Sequence, residues 1–236
     1  WYLNGAPVSG ATSASWTFTP SSSGSYTVYL NVTDNVGLRA KSNTATVTVN
    51  SALSATISPT SVTIDVGQSK TFTSTVSGGT SPFSYQWYLN SVPVSGATGS
   101  SWTFAPASSG AYQVYLIITD NVGKSAQSNT AGITVNPELS VGISPSSVVM
   151  DIGQAQFFTS SVSGGTSPYT YQWYLNGNPV PGATNPTWTF TPASAGSYTV
   201  YVKVIDNVGI QTTSAAVPVT VNGQLSASIS PTFATL

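Results

Sequence analysis

The sequence predicts an all-β protein built from tandem antiparallel β-sandwich domains of 86 residues. The chain repeats itself at that period without an insertion or deletion, so Trp1, Trp87 and Trp173 occupy one position of the period. Short segments that alternate apolar and polar residues lie between clusters of Gly, Pro, Asn and Ser. No stretch shows the spacing of an amphipathic helix.

The period divides the chain into complete and partial copies, called here the first to fourth repeats. The second repeat, residues 53–138, and the third repeat, residues 139–224, are complete. The first repeat, residues 1–52, matches 87–138 and lacks the opening third of the pattern, while 225–236 matches only the first strand. Because one folded unit is copied in tandem, the pattern predicts a domain array.

The second repeat contains eight short segments with strand character. They are Leu53–Ser58, Val62–Ile64, Ser69–Ser77, Ser84–Asn90, Val92–Val94, Ser101–Phe104, Ala111–Thr119 and Ser128–Asn136. Turn residues separate them, as in Asp65-Val66-Gly67 and in the run that starts at Asp120. Asn176-Gly177 in the third repeat is a strong hairpin signal, and the equivalent Asn90-Ser91 is a weaker one.

Period-two alternation assigns residues to the two faces of each strand. The residues expected in the core of the second repeat are Tyr85, Trp87, Leu89, Tyr112, Val114, Leu116 and Ile118, with Trp102 and Phe104 covering them from the opposite sheet. Because the chain has no cysteine, this aromatic burial must replace a disulfide as the main source of stability.

Two features of this repeat resemble known families. Trp87 and the Pro-Ala-Ser-Ser-Gly-Ala run before Tyr112 resemble the core tryptophan and tyrosine corner of immunoglobulin-like domains. The stretch from Tyr26 to Gly37 is similar to the closing half of a PKD module, although Val114 stands where antibody domains carry their second cysteine. The resemblance implies tandem Ig-like/PKD-like sandwiches of a prokaryotic, archaeal or bacterial, surface protein, used in surface layers, stalks and filaments.

Composition excludes several classes of function. The chain has no Cys or His, and its five Lys and Arg against six Asp and Glu give a net charge of -1. Catalysis needs a titratable group near its working pH or a metal-held water, so we expect no catalytic residue and no cofactor. A scattered set of five cations argues against nucleic-acid binding. No apolar run approaches the roughly 20 residues of a membrane span.

Aspartates recur at two positions of the period. One position lies in the turn before the last strand of each repeat, where each carboxylate is expected to cap its own turn: Asp34, Asp120 and Asp206. Asp65 and Asp151 occupy the other position, at the opposite end of the sandwich. Within one repeat the two positions cannot meet.

Between repeats the same aspartates should come close together. Asp65 should face the Asp206 turn of the next repeat, with Glu138 in the linker between them. Three carboxylates at a junction suggest calcium, which takes six to eight oxygen ligands. Ala52 and Gln224 replace Glu138 at the other junctions, so the alternative hypothesis is that these aspartates only cap turns.

Tyrosines should pair on the outer face of the sandwich. Alternation places Tyr88 beside Tyr115 on neighbouring strands, and the same holds for Tyr2 with Tyr29 and Tyr174 with Tyr201. One interpretation is a cross-strand pair that stabilises the sheet by about 0.2 to 1 kcal/mol. The other is a lateral contact face that repeats along the chain and binds neighbouring copies or glycans.

Modification and linker signals complete the pattern. Asn31-Val-Thr33 is an N-glycosylation sequon on the outer face near Tyr29. The linkers, such as Asn136-Pro-Glu-Leu139, leave two residues between consecutive repeats and predict a semi-rigid rod. The incomplete first repeat and the spare strand at 225–236 are compatible with donor-strand assembly or with a cut from a longer chain.

These observations favour a structural, non-enzymatic, extracellular repeat protein that forms the body of a cell-surface filament, stalk or surface layer. Self-association is the expected partner interaction. Two alternatives stay open: an adhesin or glycan-binding array that uses the outer tyrosines, and a spacer of a larger secreted enzyme.

Overall fold

The computed structural model describes residues 1–230, and these residues form strands, turns and loops without a helix. The sequence therefore predicted the all-β class correctly. Residues 225–230 form no strand, and 231–236, the rest of the partial fourth repeat, lie outside the described residues.

The strands recur with the period of the sequence. The first repeat contains β1 (Tyr2–Leu3), β2 (Ala6–Pro7), β3 (Gly24–Tyr29), β4 (Asn31–Thr33), β5 (Arg39–Lys41) and β6 (Ala45–Val49). The second contains β7 (Ser54–Ser58), β8 (Ser61–Asp65), β9 (Lys70–Ser77), β10 (Ser84–Leu89), β11 (Val92–Pro93), β12 (Ser101–Phe104), β13 (Gly110–Thr119), β14 (Ser125–Gln127) and β15 (Ala131–Asn136). The third contains β16 (Ser140–Ser144), β17 (Val148–Asp151), β18 (Gln156–Ser163), β19 (Thr170–Leu175), β20 (Asn178–Pro179), β21 (Thr187–Phe190), β22 (Gly196–Ile205), β23 (Gln211–Thr213) and β24 (Val217–Asn222).

The chain divides into two compact units whose boundary runs through the second repeat. One unit comprises Trp1–Thr60, Thr71–Trp102 and Gln113–Gly132. The other comprises Ser61–Lys70, Thr103–Tyr112 and the chain from Ile133 onward. Repeat names below refer to the sequence period.

The third repeat, in the second unit, is a two-sheet sandwich. β16, β18 and β21 form a three-stranded sheet, and β17, β24, β22, β19 and β20 follow one another in a six-stranded sheet with β23 attached to β22. Pro145 ends the pairing of β16 with β18, because proline has no N–H to donate, and the chain then crosses to pair β17 with β24 in parallel. This crossing closes the sandwich at one edge.

The core of the third repeat contains the residues that alternation places inward. Trp173 and Phe158 are fully buried, and Val200, Val202 and Val204 of β22 fill the space beside them. Burying an indole removes roughly 200 Å² from water, worth up to about 5 kcal/mol. This repeat therefore has a substantial core without a disulfide.

The first unit also consists of paired strands with large side chains buried between them. β1, β2, β3 and β6 form one sheet of the first repeat, and β4 pairs with β5. In the second repeat, β7 pairs with β9, while β10 pairs with β11 and β13. The large side chains that are fully buried in this unit include Phe72, Trp87, Val114, Leu116 and Ile118.

The predicted last strand, Ser128–Asn136, begins three residues later in the structure, as β15 (Ala131–Asn136), and the short strand β14 (Ser125–Gln127) before it was not predicted. Ser128 and Asn129 interrupt the ladder. The Ser128 hydroxyl accepts a hydrogen bond from the Leu116 N–H at 2.9 Å, and Asn129 pairs with both backbone groups of Ile57 at 2.8 and 3.2 Å. Side chains thus take over the pairing that the backbone would otherwise make.

The tight turn after β10 has two residues with positive φ, as type I′ hairpins require. Asn90 and Ser91 have φ of 49° and 66°, and the equivalent Asn176 and Gly177 have 50° and 82°. The side-chain oxygen of Asn90 accepts the Gln113 N–H at 2.8 Å, which holds the turn on β13. Ser91 therefore carries strain that Gly177 does not.

Replacing Ser91 with Gly should stabilise the protein by about 0.5–1 kcal/mol, because glycine adopts the left-handed conformation without a steric penalty. Chemical denaturation measures the change. Gly177→Ser is the matched control and should lower stability by a similar amount, since the space around Gly177 is open. Equal stability of Ser91→Gly and the parent would contradict this account.

Candidate functional site

The recurrent aspartates cap the turns that precede the last strands. The Asp206 carboxylate oxygen Oδ1 accepts the N–H groups of Val208 at 3.1 Å and Ile210 at 2.8 Å. Asp120 makes the same two contacts, at 3.1 and 2.8 Å, one period earlier. Asp34 does so in the first repeat, at 3.0 and 2.8 Å. Each aspartate fixes the conformation of its own loop.

The second oxygen of these carboxylates binds a neighbouring turn. Asp206 Oδ2 accepts the Thr166 N–H at 3.0 Å, and Asp120 Oδ2 accepts the Thr80 N–H at 3.1 Å. Burial alone would raise the pKa of Asp120, but the N–H groups of Lys124, Thr80 and Val122 outweigh it and hold that pKa below its ordinary value.

Backbone contacts attach this neighbouring turn to the preceding linker. The Gly165 N–H donates to the Pro137 carbonyl at 2.8 Å, and the Gly79 N–H donates to the Ser51 carbonyl at 2.9 Å. A Cβ added to Gly164 would overlap the Glu138 carbonyl oxygen. Only glycine therefore fits where the linker crosses this turn.

Side chains from consecutive repeats join at the same place. Asn136, at the end of β15, donates to the Thr166 hydroxyl oxygen at 2.8 Å, and that hydroxyl donates to Asp65 Oδ1 at 2.8 Å. Asn50 and Thr80 form the equivalent amide–hydroxyl bond, at 2.9 Å. We call the set Asp65, Asn136, Thr166 and Asp206 the junction cluster.

Asp65 is the most deeply buried member of the junction cluster, with 1% of its surface exposed. Burial, and then the contact with Asp206, raise the pKa of Asp65. Together they outweigh the hydrogen bonds from Thr166 and Asn136, which lower that pKa. Asp206 shifts the other way: burial would raise its pKa, but the contact with Asp65 and the backbone N–H groups of its turn lower it.

The structure brings two of the three calcium candidates together and not the third. Asp65 and Asp206 both accept hydrogen bonds from Thr166, at 2.8 and 3.0 Å, whereas Glu138 is exposed and is not among the main groups that act on either. In residues 1–230 no group of three or more His, Cys, Asp or Glu side chains is arranged to hold a metal ion. The geometry therefore gives calcium no support here.

Sequence reasoning missed Asn136, Thr166 and the glycine pair as members of this junction. The signal that could have found them is their recurrence: asparagine stands at equivalent positions 50, 136 and 222, at or just after the last strand of each repeat, and Gly-Gly-Thr recurs at 78–80 and 164–166. Asn222 already contacts Asp151 at 3.3 Å, as Asn136 contacts Asp65.

The outer tyrosines form three stacked pairs. Their ring centroids lie 4.8 to 4.9 Å apart with interplanar angles of 5° or 6°, and the partners lie directly opposite on neighbouring strands: Tyr2 with Tyr29, Tyr88 with Tyr115, and Tyr174 with Tyr201. The ammonium group of Lys41 lies 3.9 Å from the centre of the Tyr29 ring, and that of Lys203 lies 4.9 Å from the centre of the Tyr174 ring. One face of every ring is thus covered by another ring.

Asn31, the candidate glycosylation residue, is exposed on β4 and lies opposite Lys41 on β5. A glycan at this position would extend away from the strand pair. Glycosylation of Asn31 stays a prediction that intact mass of the native protein would test.

Gly164→Ala should weaken the junction, because its methyl group would overlap the Glu138 carbonyl. The control is Gly182→Ala, where φ is also positive, at 74°, and nothing lies within 4 Å of an added Cβ. We expect Gly164→Ala to cost about 1–3 kcal/mol more than the control by chemical denaturation.

A second measurement localises that loss. Glu138 is the chain's single glutamate, so a glutamate-specific protease should cut the linker faster in Gly164→Ala than in Gly182→Ala. Equal stability and equal cleavage rates in the two variants would show that the linker accommodates the methyl group without cost.

The described residues include no helix long and apolar enough to cross a membrane.

Part of this chain is similar to known proteins. Residues 140–219 match the model of the PKD domain family. The highly immunogenic outer capsid protein of Enterobacteria phage T4 is 32% identical over 127 residues, which cover 50% of this chain and 34% of that protein. The decoration protein of Escherichia phage T5 is 33% identical over 85 residues, covering 35% of this chain and 51% of that protein.

The chain thus spans about a third and about half of these two relatives. Among solved structures, the three N-terminal domains of the bacteriophage RB49 highly immunogenic outer capsid protein are 21% identical to this chain, with a TM-score of 0.40. The match covers 72% of this chain and 59% of that chain. The family match over residues 140–219 and the strict sequence period together support tandem Ig-like/PKD-like β-sandwiches as the organisation of this chain.

Proposed function

We propose that this protein is a structural, non-enzymatic module on the outer surface of a biological particle, and that the particle is a bacteriophage capsid. The observation that carries the proposal is the 32% and 33% identity to an outer capsid protein and a decoration protein of two phages. Its domain organisation follows the sequence period, with complete domains at 53–138 and 139–224 and partial ones at either end.

The junction contacts suit a structural role. The Gly165 N–H binds the Pro137 carbonyl at 2.8 Å, and the Asn136 amide binds the Thr166 hydroxyl at 2.8 Å. These contacts fix the turn after β18, in the third repeat, on the end of the second repeat. Such polar contacts between the end of one repeat and a turn of the next suit a structural module.

The composition also suits exposure on a particle. Only eleven of 236 side chains are charged, so the solubility of the chain depends little on pH. A surface whose polarity comes from Ser and Thr keeps its hydration in acid, where a carboxylate-rich surface would lose its charge. Such a composition suits a protein that is exposed to variable surroundings on a particle surface.

A cell-surface filament, stalk or layer, of archaeal or bacterial origin, is the second candidate, and the repeated tyrosine pairs favour it. Identical aromatic pairs on successive repeats would give weak contacts that add along neighbouring molecules or along a glycan. The stacking leaves ring edges and hydroxyl groups for such contacts, since one face of each ring is covered. A spacer in a secreted enzyme is a third candidate.

Immunogold labelling separates these candidates. An antibody against residues 139–224 should bind the outside of intact capsids of the phage or prophage that encodes this protein. Gold on fibres or layers of the cell surface would instead support the second candidate. Label found only in the culture fluid, on neither particle nor cell, would contradict both.

The tyrosine face can be tested by a double substitution. Tyr88→Ser with Tyr115→Ser should cost the fold about 0.2–1 kcal/mol and abolish attachment or assembly if the pairs form the contact face. Phe157→Ser is the control, because Phe157 is an exposed aromatic residue, 54% accessible, on a strand that carries no tyrosine pair. Assembly that survives the double substitution would remove the contact-face interpretation.

A further inference from the structure

The junction cluster contains one oxygen atom whose surroundings are unusual. Asp65 Oδ1 accepts hydrogen bonds from the Thr166 hydroxyl at 2.8 Å and from the Asn136 amide at 3.3 Å. Asp65 Oδ2 is buried and receives no N–H or O–H donor. A buried carboxylate oxygen without a donor is costly, so another group must compensate it.

The group within reach of it is a second carboxyl. Thr166 joins the two carboxyls, because its N–H donates to Asp206 Oδ2 at 3.0 Å and its hydroxyl donates to Asp65 Oδ1 at 2.8 Å. The other Asp206 oxygen accepts the N–H groups of Val208 and Ile210, and Asp206 acts on the Asp65 carboxyl. Two ionised carboxylates are both acceptors and repel each other. Their contact is favourable only if a proton or a cation lies between them.

The geometry favours a proton. Calcium takes six to eight oxygen ligands, and here five of the hydrogen bonds to the two carboxyls already come from N–H or O–H donors that a cation would displace or oppose. A shared proton needs only one oxygen from each partner.

The elements packed around Asp65 supply no other charge. They are the end of β15 with Asn136, the turn after β18 with Thr166, and the loop after β22 with Asp206. The neighbouring linker carries Glu138, whose side chain is exposed. No lysine or arginine is among the main groups that act on the pair.

We propose that Asp65 and Asp206 share a single proton, and that this proton makes the contact between the second and third repeats a pH-dependent lock. With the proton present, the Asp65 carboxyl donates to the Asp206 carboxylate and the junction is closed. When the proton leaves, two buried negative charges face each other and the turn at 164–166 is released from the preceding repeat.

The direction of each shift defines the pH window. Burial and the contact with Asp206 raise the pKa of Asp65. The stabilisation that Asp65 gives to the junction is therefore complete below the ordinary aspartate pKa and is lost as pH rises through the raised pKa. The pKa of Asp206 is lowered despite burial. The stabilisation that Asp206 gives to the junction is therefore present above the ordinary aspartate pKa and is lost as pH falls through the lowered pKa. The lock is strongest between these two values.

Carboxyl-carbon NMR titration of the whole chain tests the shared proton directly, because only six side chains carry a carboxyl group. Asp65 should titrate above the ordinary aspartate range, and Asp206→Asn should shift that titration. Asp120→Asn is the matched control, since Asp120 caps the same kind of turn and likewise accepts a threonine N–H. It should leave the Asp65 titration unchanged.

Amide hydrogen exchange tests the lock itself. The Gly165 N–H, bound to Pro137, should lose protection relative to the Gly79 N–H, bound to Ser51, as pH rises through the Asp65 titration. Asp65→Asn should abolish this relative change, because an amide donates to Asp206 at every pH. Asp151→Asn, at the equivalent position of the next repeat, should not abolish it.

Two outcomes would overturn the proposal. The first is an Asp65 carboxyl that titrates in the ordinary range, or a Gly165 to Gly79 protection ratio that does not change with pH. The second is a shift of the Asp65 and Asp206 signals on adding calcium at neutral pH, which would assign the site to a cation.

Discussion

The buried tryptophan in the strand before each hairpin is the interaction on which the rest of this structure depends. The indole N–H of Trp87 donates to the Gly99 carbonyl at 2.9 Å, and Trp173 does the same to Asn185 at 2.9 Å. Its ring lies in the core while its one polar atom binds the loop that leads into the next strand. A single side chain thus provides both apolar burial and the positioning of a loop, where a disulfide would only cross-link.

Because apolar packing stabilises each complete sandwich, the junctions are free to use polar contacts. Thr166 contributes its backbone N–H to Asp206 and its hydroxyl to Asp65, so one residue connects the acidic groups of two successive repeats. Such bonds depend on geometry and protonation more than on area. The junction can therefore respond to its surroundings while the cores do not.

The sequence predicted the features that depend on local pattern. Alternation identified Val114, Leu116 and Ile118 as core residues, and topology placed Asp65 towards the Asp206 turn. Contacts set by side chains distant in sequence were missed. Asn129 binds Ile57, which lies 72 residues away, and this residue therefore stays outside the last strand, which alternation alone starts at Ser128.

The two halves of the junction differ, and each complete repeat carries one half at each end of its sandwich. In the third repeat, Gly164 and Thr166 lie at the end that meets the second repeat, while Asp151 and Asn222 lie at the other end and contact each other at 3.3 Å. Unequal crossover between copies in register would therefore recreate an intact junction at every new boundary. The array can lengthen or shorten by whole copies during evolution, with one direction from head to tail and no need for compensating mutations.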